Sequence, residues 1–393
     1  MADMTHGGAG PQVKIVATLM VRDEVDIIAA MVEHHLAQGV DLIIATDNGS
    51  VDGTREVLAE YAERGVVELH DYLVHDKNQT GVVSSMASRA YTEHGADWVI
   101  NVDADEFFVP VDRSSTVRDV LARVPRELGS FSVPVTNLTG RPAPDGAGIL
   151  RLTWRDEREE STLMETVALH AHPTSVVVHV GQADVVVQQG NHGVSIPSTG
   201  QPDPSLGLEV LHVPWRSFRQ YGSKVQNTGE SYEANPGLRP SPRHHGMRDF
   251  RFLRAGVLED LYIVRHRLVD DEPGFREERL LADSLTDLLA SGRAVLPERL
   301  RPLLVQDEPG YDPERVEAAR SVAAIVVPLE LEHLTASEAW RDAFRKEQSR
   351  VKRLRRQVKT LESDASAKTA ATPPSSALRR LKRRVGRRLS ARG

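Results

Sequence analysis

The chain has 393 residues, 40% hydrophobic and 27% charged, with a net charge of −7, a balance that suits a soluble globular body of two or three structural units. It contains no cysteine, which excludes disulfides and thiolate metal sites and leaves oxygen and histidine as metal ligands. Residues 377 to 393 contribute +8, so the rest carries −15, and an acidic body excludes a general nucleic-acid binder, which needs a basic face for phosphates.

Val13 to Leu19 reads as a buried strand, and Val25 to Gln38 as a helix with Ile28, Met31, Val32, His35 and Leu36 at helical spacing. Asp41 to Thr46 is a second strand. The run Asp47-Asn48-Gly49-Ser50-Val51-Asp52-Gly53 is a turn, after which Thr54 opens a helix to about Arg64. Val66 to His70 is a third strand, residues 79 to 94 a helix, and Asp97 to Val102 a fourth strand. Four alternations of strand and helix predict an α/β fold, a doubly wound and mostly parallel sheet that binds ligands at the carboxyl ends of its strands. Beyond Val109, shorter strands are expected at Phe131 to Val135, Ile149 to Trp154, Ser175 to Val180 and Asp184 to Gln188. Residues 210 to 233 and 273 to 345 read as mainly helical, the latter broken by Pro297, Pro302, Pro309 and Pro313. No stretch is apolar for long enough to cross a membrane, and the first residues lack the regions of a signal peptide, so a cytoplasmic chain is expected.

Carboxylates collect at the ends of three of these strands: Asp23 and Glu24 after the first, Asp47 and Asp52 after the second, Asp103, Asp105 and Glu106 after the fourth. In extended chain, positions i and i+2 share a side, so Asp103 and Asp105 converge. Two convergent hard oxygens suit Mn²⁺ or Mg²⁺. Each acid also has a plainer reading as a turn or cap residue, and for Asp52, just before Thr54, the two readings balance.

Together these segments resemble the family 2 glycosyltransferases, in particular a bacterial branch related to family 92. The matching residues are Val21-Arg22-Asp23-Glu24, His34-His35 before Gly39-Val40-Asp41, Thr46 to Thr54, and Trp98 to Phe108 with its Asp103-Ala104-Asp105. The resemblance implies a GT-A fold with an added C-terminal helical region, a nucleotide-diphosphate sugar as donor, a divalent metal on Asp103 and Asp105, and inversion at the anomeric carbon. It assigns Asp47 to the nucleoside and the region of Arg22 and Glu24 to the base and ribose pocket, with Asp52 beside them. At Asp23 the chain departs from relatives, which usually carry Asn.

Two weaker matches lie downstream. His212-Val213-Pro214-Trp215-Arg216-Ser217 leads into a helix where Arg216, Gln220 and Lys224 recur at i, i+4, i+8, a cationic edge that can face a diphosphate. Gly190-Asn191-His192-Gly193 is the other, and His192 or His212 is expected to complete the metal shell. No motif places the general base. Asp156, Glu157 and Glu165 are candidates, although Arg155 to Glu160 also reads as a solvated charged loop.

The expected organisation is a GT-A domain over 11–235, with a donor half 11–110 and an acceptor half 111–235, and a helical extension over 236–335. A charged helix follows over 336–362, with Val351, Leu354, Val358 and Leu361 at coiled-coil spacing, then a linker 363–376 and a basic tail 377–393. The tail carries Leu378, Leu381, Val385 and Leu389 on one helical face among arginines. It reads either as a helix lying on the anionic inner face of the membrane or as a basic segment that binds a partner or nothing.

The expected activity is transfer of a sugar to a saccharide or lipid-linked acceptor. A sugar-phosphate nucleotidyltransferase would want a glycine-rich loop after the first strand, and residues 20 to 24 contain no Gly. A glycoside hydrolase would employ paired carboxylates without nucleotide or metal. A non-catalytic glycan-binding or scaffold protein on the same fold stays open.

Overall fold

The computed structural model describes residues 13–74, 79–235, 237, 240–241 and 243–371. In chain order it contains β1 (Ile15–Val21), α1 (Ile28–Ala37), β2 (Leu42–Asp47), α2 (Thr54–Glu63), β3 (Val67–Asp71), α3 (Gln79–Thr92), β4 (Trp98–Val102), β5 (Glu106–Pro110) and α4 (Val117–Leu121). There follow β6 (Ser130–Val133), β7 (Val135–Thr139), β8 (Trp154–Asp156), α5 (Glu160–Val167), β9 (Val176–Val180), β10 (Leu208–His212) and α6 (Phe218–Glu233). The C-terminal region holds α7 (His245–Arg254), α8 (Leu258–Arg265), β11 (Phe275–Glu277), α9 (Leu280–Ala290), α10 (Pro297–Leu300) and α11 (Pro313–Ala371).

The larger sheet runs β3-β2-β1-β4-β9-β6, with β3, β2, β1 and β4 parallel and β9 and β6 antiparallel to their neighbours. Its parallel strands β1, β2 and β4 are largely apolar on both faces because helices cover both, whereas the edge strand β3 carries Glu68, His70 and Asp71. Ile15, Ala17, Leu19, Ile43, Ala45, Trp98 and Ile100 pack with α1 and α2 residues such as Ile28, Met31 and Leu58, whereas Val16, Ile44 and Val99 on the opposite face meet Val83, Met86 and Ala90 of α3. Register brings the strand ends level: Val21 lies beside Asp47, and Leu19 beside Val102. The loops carrying the carboxylates therefore leave the sheet along one edge, the place where α/β sheets bind ligands.

A second sheet, β11-β8-β7-β10-β5, continues from this edge, and β10 pairs antiparallel with β5 so that His212 lies opposite Glu106. The two histidines of α1 join the layers. His34 Nε2 donates to the Phe108 carbonyl at 2.8 Å and His35 Nδ1 to that of Met31 at 2.9 Å, both rings buried against Phe107. The matching His34-His35 pair is thus a structural clamp on β5.

Several expectations change. Residues 210 to 233 begin with β10 and become helical only after the Ser217 cap, whose hydroxyl accepts from Gln220 N. In Ile149 to Trp154 the apolar residues are buried without a ladder, because Gly148 turns the chain at φ 76°, and the strand starts at Trp154. In Asp184 to Gln188, Val185 and Val187 are buried, but the pairing is one isolated bridge from Val187 to Val194. The expected boundary at 235/236 does not separate two cores. Tyr221 and Val225 of α6 share one cluster with Phe250, Tyr262, Ala319 and Ala323, and Gly229 lets the Phe250 ring lie directly on α6.

The chain divides into two units, Met1–Leu331 and Glu332–Gly393. Within the second, α11 runs to Ala371, through residues 363 to 371 of the expected linker, whose alanines extend a helix readily. The basic tail 377–393 lies outside the described residues.

Candidate functional site

The loops after β1 and β2 are laced together. Asp23 adopts φ 54°, a left-handed conformation that Asp and Asn tolerate better than most residues. Its N–H donates to Ser50 Oγ at 3.0 Å and its Oδ1 accepts from Val51 N at 2.8 Å. Glu24 N donates to Thr54 Oγ1 at 2.8 Å. Asp52 accepts from Val25 N through Oδ2 and from Thr54 N and Oγ1 through Oδ1, so the carboxylate expected beside the nucleotide has both oxygens engaged in holding the turn. Asp47 is fully buried. Its Oδ2 accepts from Gly49 N and Ser50 N at 2.9 and 3.0 Å, while Oδ1 has no hydrogen-bond partner among the described residues. A buried acceptor left open at the sheet edge is a feature that a ligand N–H or O–H can satisfy.

Asp103 and Asp105 follow β4, Asp105 buried and Asp103 half-buried. Asn191 Nδ2 donates to Asp103 Oδ1 at 3.2 Å. Lys224 Nζ donates to Asp105 Oδ2 at 2.6 Å, His212 Nε2 lies 3.5 Å from the same oxygen and Arg216 Nη1 3.7 Å. Glu106 accepts from Asp103 N at 3.2 Å. The electrostatic result is asymmetric. Burial and then the neighbouring Asp105 push Asp103 up, and burial with both aspartates pushes Glu106 well above the usual carboxylate range. Burial also disfavours charge on Asp105, but Lys224, His212 and Arg216 outweigh it and hold that carboxyl well below the usual range.

The edge Arg216, Gln220, Lys224 faces these acids as expected, with Arg216 lying just before α6. Fully buried Arg216 pairs with Asp26 at 2.9 Å and with Glu24, and Gln220 Nε2 and Lys224 Nζ reach Glu24 at 3.1 and 3.4 Å. Lys224 keeps 42% of its side chain exposed, against 0% for Arg216. It lines a cleft of about 310 Å³ together with Arg22, Asp23, Glu24, Asn48 and Gln189.

The two histidines separate. His212 Nδ1 lies 2.8 Å from Asn137 Oδ1. With Nδ1–H donating to that amide oxygen, Nε2 is the ring nitrogen that faces Asp105. His192 instead has Nδ1 at 3.1 Å from the Ser175 carbonyl, and it is Asn191, at φ 60°, that turns inward to Asp103. The left-handed backbone at Gly190 and Asn191 decides which side chain donates to Asp103, and the pair Gly-Asn is its signal, while His192 acts on Asp103 by charge.

The base candidates lie elsewhere in the pattern of contacts. Asp156 binds the Arg158 guanidinium through both oxygens, Glu157 pairs with Arg276 on β11, and Glu165 is exposed on α5. None of the three contacts the Asp103–Asp105 cluster among the described residues.

Among the described residues no group of three or more His, Asp or Glu side chains is arranged to hold a metal ion alone. Asp103 and Asp105, with His212 Nε2 beside them, nevertheless fit a Mg²⁺ or Mn²⁺ ion, which commonly takes one or two carboxylates and fills its remaining positions with substrate phosphates and water. The donors are hard oxygens, and a cation would offset the like charges that raise Asp103 and Glu106.

Residues 16–138 match the model of glycosyltransferase family 92. No protein of curated function matches the sequence. Among solved structures, S. aureus TarS residues 1–349 is 13% identical, with 84% of this chain and 92% of that chain covered and a TM-score of 0.31. Its complex with UDP-GlcNAc is 12% identical over the same shares, with a TM-score of 0.32. Glucosyl-3-phosphoglycerate synthase from Mycobacterium tuberculosis, in complex with Mn²⁺, UDP-glucose and phosphoglyceric acid, is 14% identical, covering 45% of this chain and 63% of that chain, with a TM-score of 0.22. All are distant likenesses.

Proposed function

We propose that this chain is a GT-A glycosyltransferase that moves a sugar, with inversion, from a nucleoside-diphosphate donor to a saccharide or lipid-linked acceptor. The observation that carries the proposal is the convergence at one sheet edge of Asp103 and Asp105, the open buried oxygen of Asp47, and Lys224 over a cleft. The family 92 match over the same strands supports it.

In this reading Asp47 accepts from the nucleoside, and the Arg22–Glu24 loop walls its pocket. Asp103 and Asp105 hold a divalent cation, with His212 beside them. When bound, that cation supplies Lewis-acid stabilisation of the departing diphosphate, on the order of several kcal/mol. Lys224, whose ammonium is kept charged by Asp105 and Glu24, donates to the same diphosphate. Arg216 stays where it is, since Glu24 and Asp26 enclose it, and its task is to hold Glu24 and the loop in place. The acceptor base is a separate carboxylate on the acceptor side.

The test is metal-dependent transfer or donor hydrolysis by the purified protein and by Asp105→Ala. The proposal expects the variant to lose the activity while keeping its fold. Full activity in Asp105→Ala would remove the metal and diphosphate assignment.

A further inference from the structure

Along α11 beyond Leu331, four apolar side chains stand in the open: Trp340 is 67% exposed, Phe344 40%, Val351 44% and Leu354 48%. Trp340 and Phe344 stack with ring centroids 5.3 Å apart, and the spacing of four, seven and three residues places all of them along one helical stripe. The remaining circumference is basic. Residues 345 to 359 contain eight Lys and Arg against one acid, Glu347, and that acid accepts from Arg350 at 3.3 Å. All eight basic side chains are exposed.

We infer that this stretch of α11 is a surface-binding helix whose occupant is an anionic lipid membrane. The apolar stripe is narrow and ends in an aromatic pair, which suits the boundary between head groups and acyl chains. Lys and Arg on both flanks have stems long enough to lie along that boundary while their charges reach anionic head groups. A second copy of the same helix fits poorly. It would set two strongly cationic segments side by side. Nucleic acid would match the charge but give the apolar stripe nothing to contact. Spanning is excluded for the described helices, none of which is long and apolar enough to cross a membrane.

The test uses the full chain and vesicles of zwitterionic lipid, with and without about 30 mol % anionic lipid, carrying brominated acyl chains. Of the four tryptophans, Trp98 and Trp215 are buried and Trp154 is half-buried with the Arg267 guanidinium 3.7 Å over its ring, so Trp340 is the one placed to be quenched. Binding about tenfold or more tighter to anionic vesicles is expected, falling with salt, together with quenching of Trp340. Trp340→Phe should keep the binding and lose most of the quenching, and the triple variant Phe344→Ser, Val351→Ser, Leu354→Ser should bind at least about tenfold more weakly with unchanged helicity. Three results would overturn the inference. They are equal binding to both vesicle types, sedimentation without quenching, which would move the contact to another basic segment, and a triple variant that turns a dimer into a monomer without changing vesicle binding.

Discussion

Asp103 and Asp105 stand two residues apart yet meet opposite surroundings, one faced by an amide and another acid, the other by Lys224, His212 and Arg216. Asn191 is the only described side chain seen to donate to Asp103, and it sits in a backbone conformation that few residues other than Gly and Asn accept. Asn191→Gly should therefore keep the loop while removing the orienting amide. Calorimetric titration of Mn²⁺ and UDP is expected to show affinity lowered by about 10–100-fold, as for other residues that orient metal ligands, with little change in melting temperature. Unchanged affinity would show that Asp103 needs no such support. Asp52 offers the opposite contrast. With both oxygens on the turn before α2, Asp52→Ala should lower stability by about 1 kcal/mol in urea unfolding and leave the UDP dissociation constant in place. A large loss of UDP affinity at constant stability would return Asp52 to the binding site.

At the level of elements, the α1 histidines make the sheet junction sensitive to acid. Burial lowers His34 to about 4 and His35 to about 3 from an ordinary 6.5, so both are neutral in the fold. Below about pH 6.5 the unfolded chain binds protons on these rings and the folded chain does not, so their contribution is complete above that pH and declines as pH falls towards 4. By pH 5 each ring has given up about 2 kcal/mol at 1.36 kcal/mol per pH unit. Urea midpoints should fall between pH 7 and pH 5, a slope that His179, His245 and His266, also lowered, share, and replacing His35 with Gln should make it shallower by one ring's part; an equally steep curve in the variant would assign it to the other groups. The same region shows why the first four strand–helix pairs were legible. Strands covered on both faces must be apolar throughout, and their helices repeat at 3.6, so β1, β2, β4 and α1 to α3 stand out as pattern, while the edge strand β3 shows instead as the alternation Val67, Glu68, Leu69, His70. β10 did not, because a five-residue strand directly before a capped helix merges with it in sequence. Nor could Asp184 to Gln188 be told from a strand, since Val185 and Val187 are buried by packing without pairing.

On the scale of the whole molecule, topology does what local pattern cannot. Asp47, Glu24 and Asp103 are legible as acids behind strands, but their meeting depends on the order β2-β1-β4, and the cation that reaches Asp105 comes from a helix more than a hundred residues later. Asn137, which orients His212, carries no sequence signal because its role comes from sheet pairing, and Asn191, which orients Asp103, carries only the local Gly-Asn pair that marks its left-handed turn. The central claim is that this edge binds a nucleoside diphosphate and a divalent cation together. The direct measurement is the melting temperature of the full chain with Mn²⁺, with UDP, GDP or TDP, and with each pair. At a ligand concentration near a hundred times its dissociation constant, stabilisation is about 2.7 kcal/mol, a shift of several degrees. The account predicts such a shift for one nucleotide with Mn²⁺, larger than the two single shifts combined and absent in Asp103→Asn and Asp105→Asn. No shift with any nucleotide and metal, or an equal shift in both variants, would contradict it.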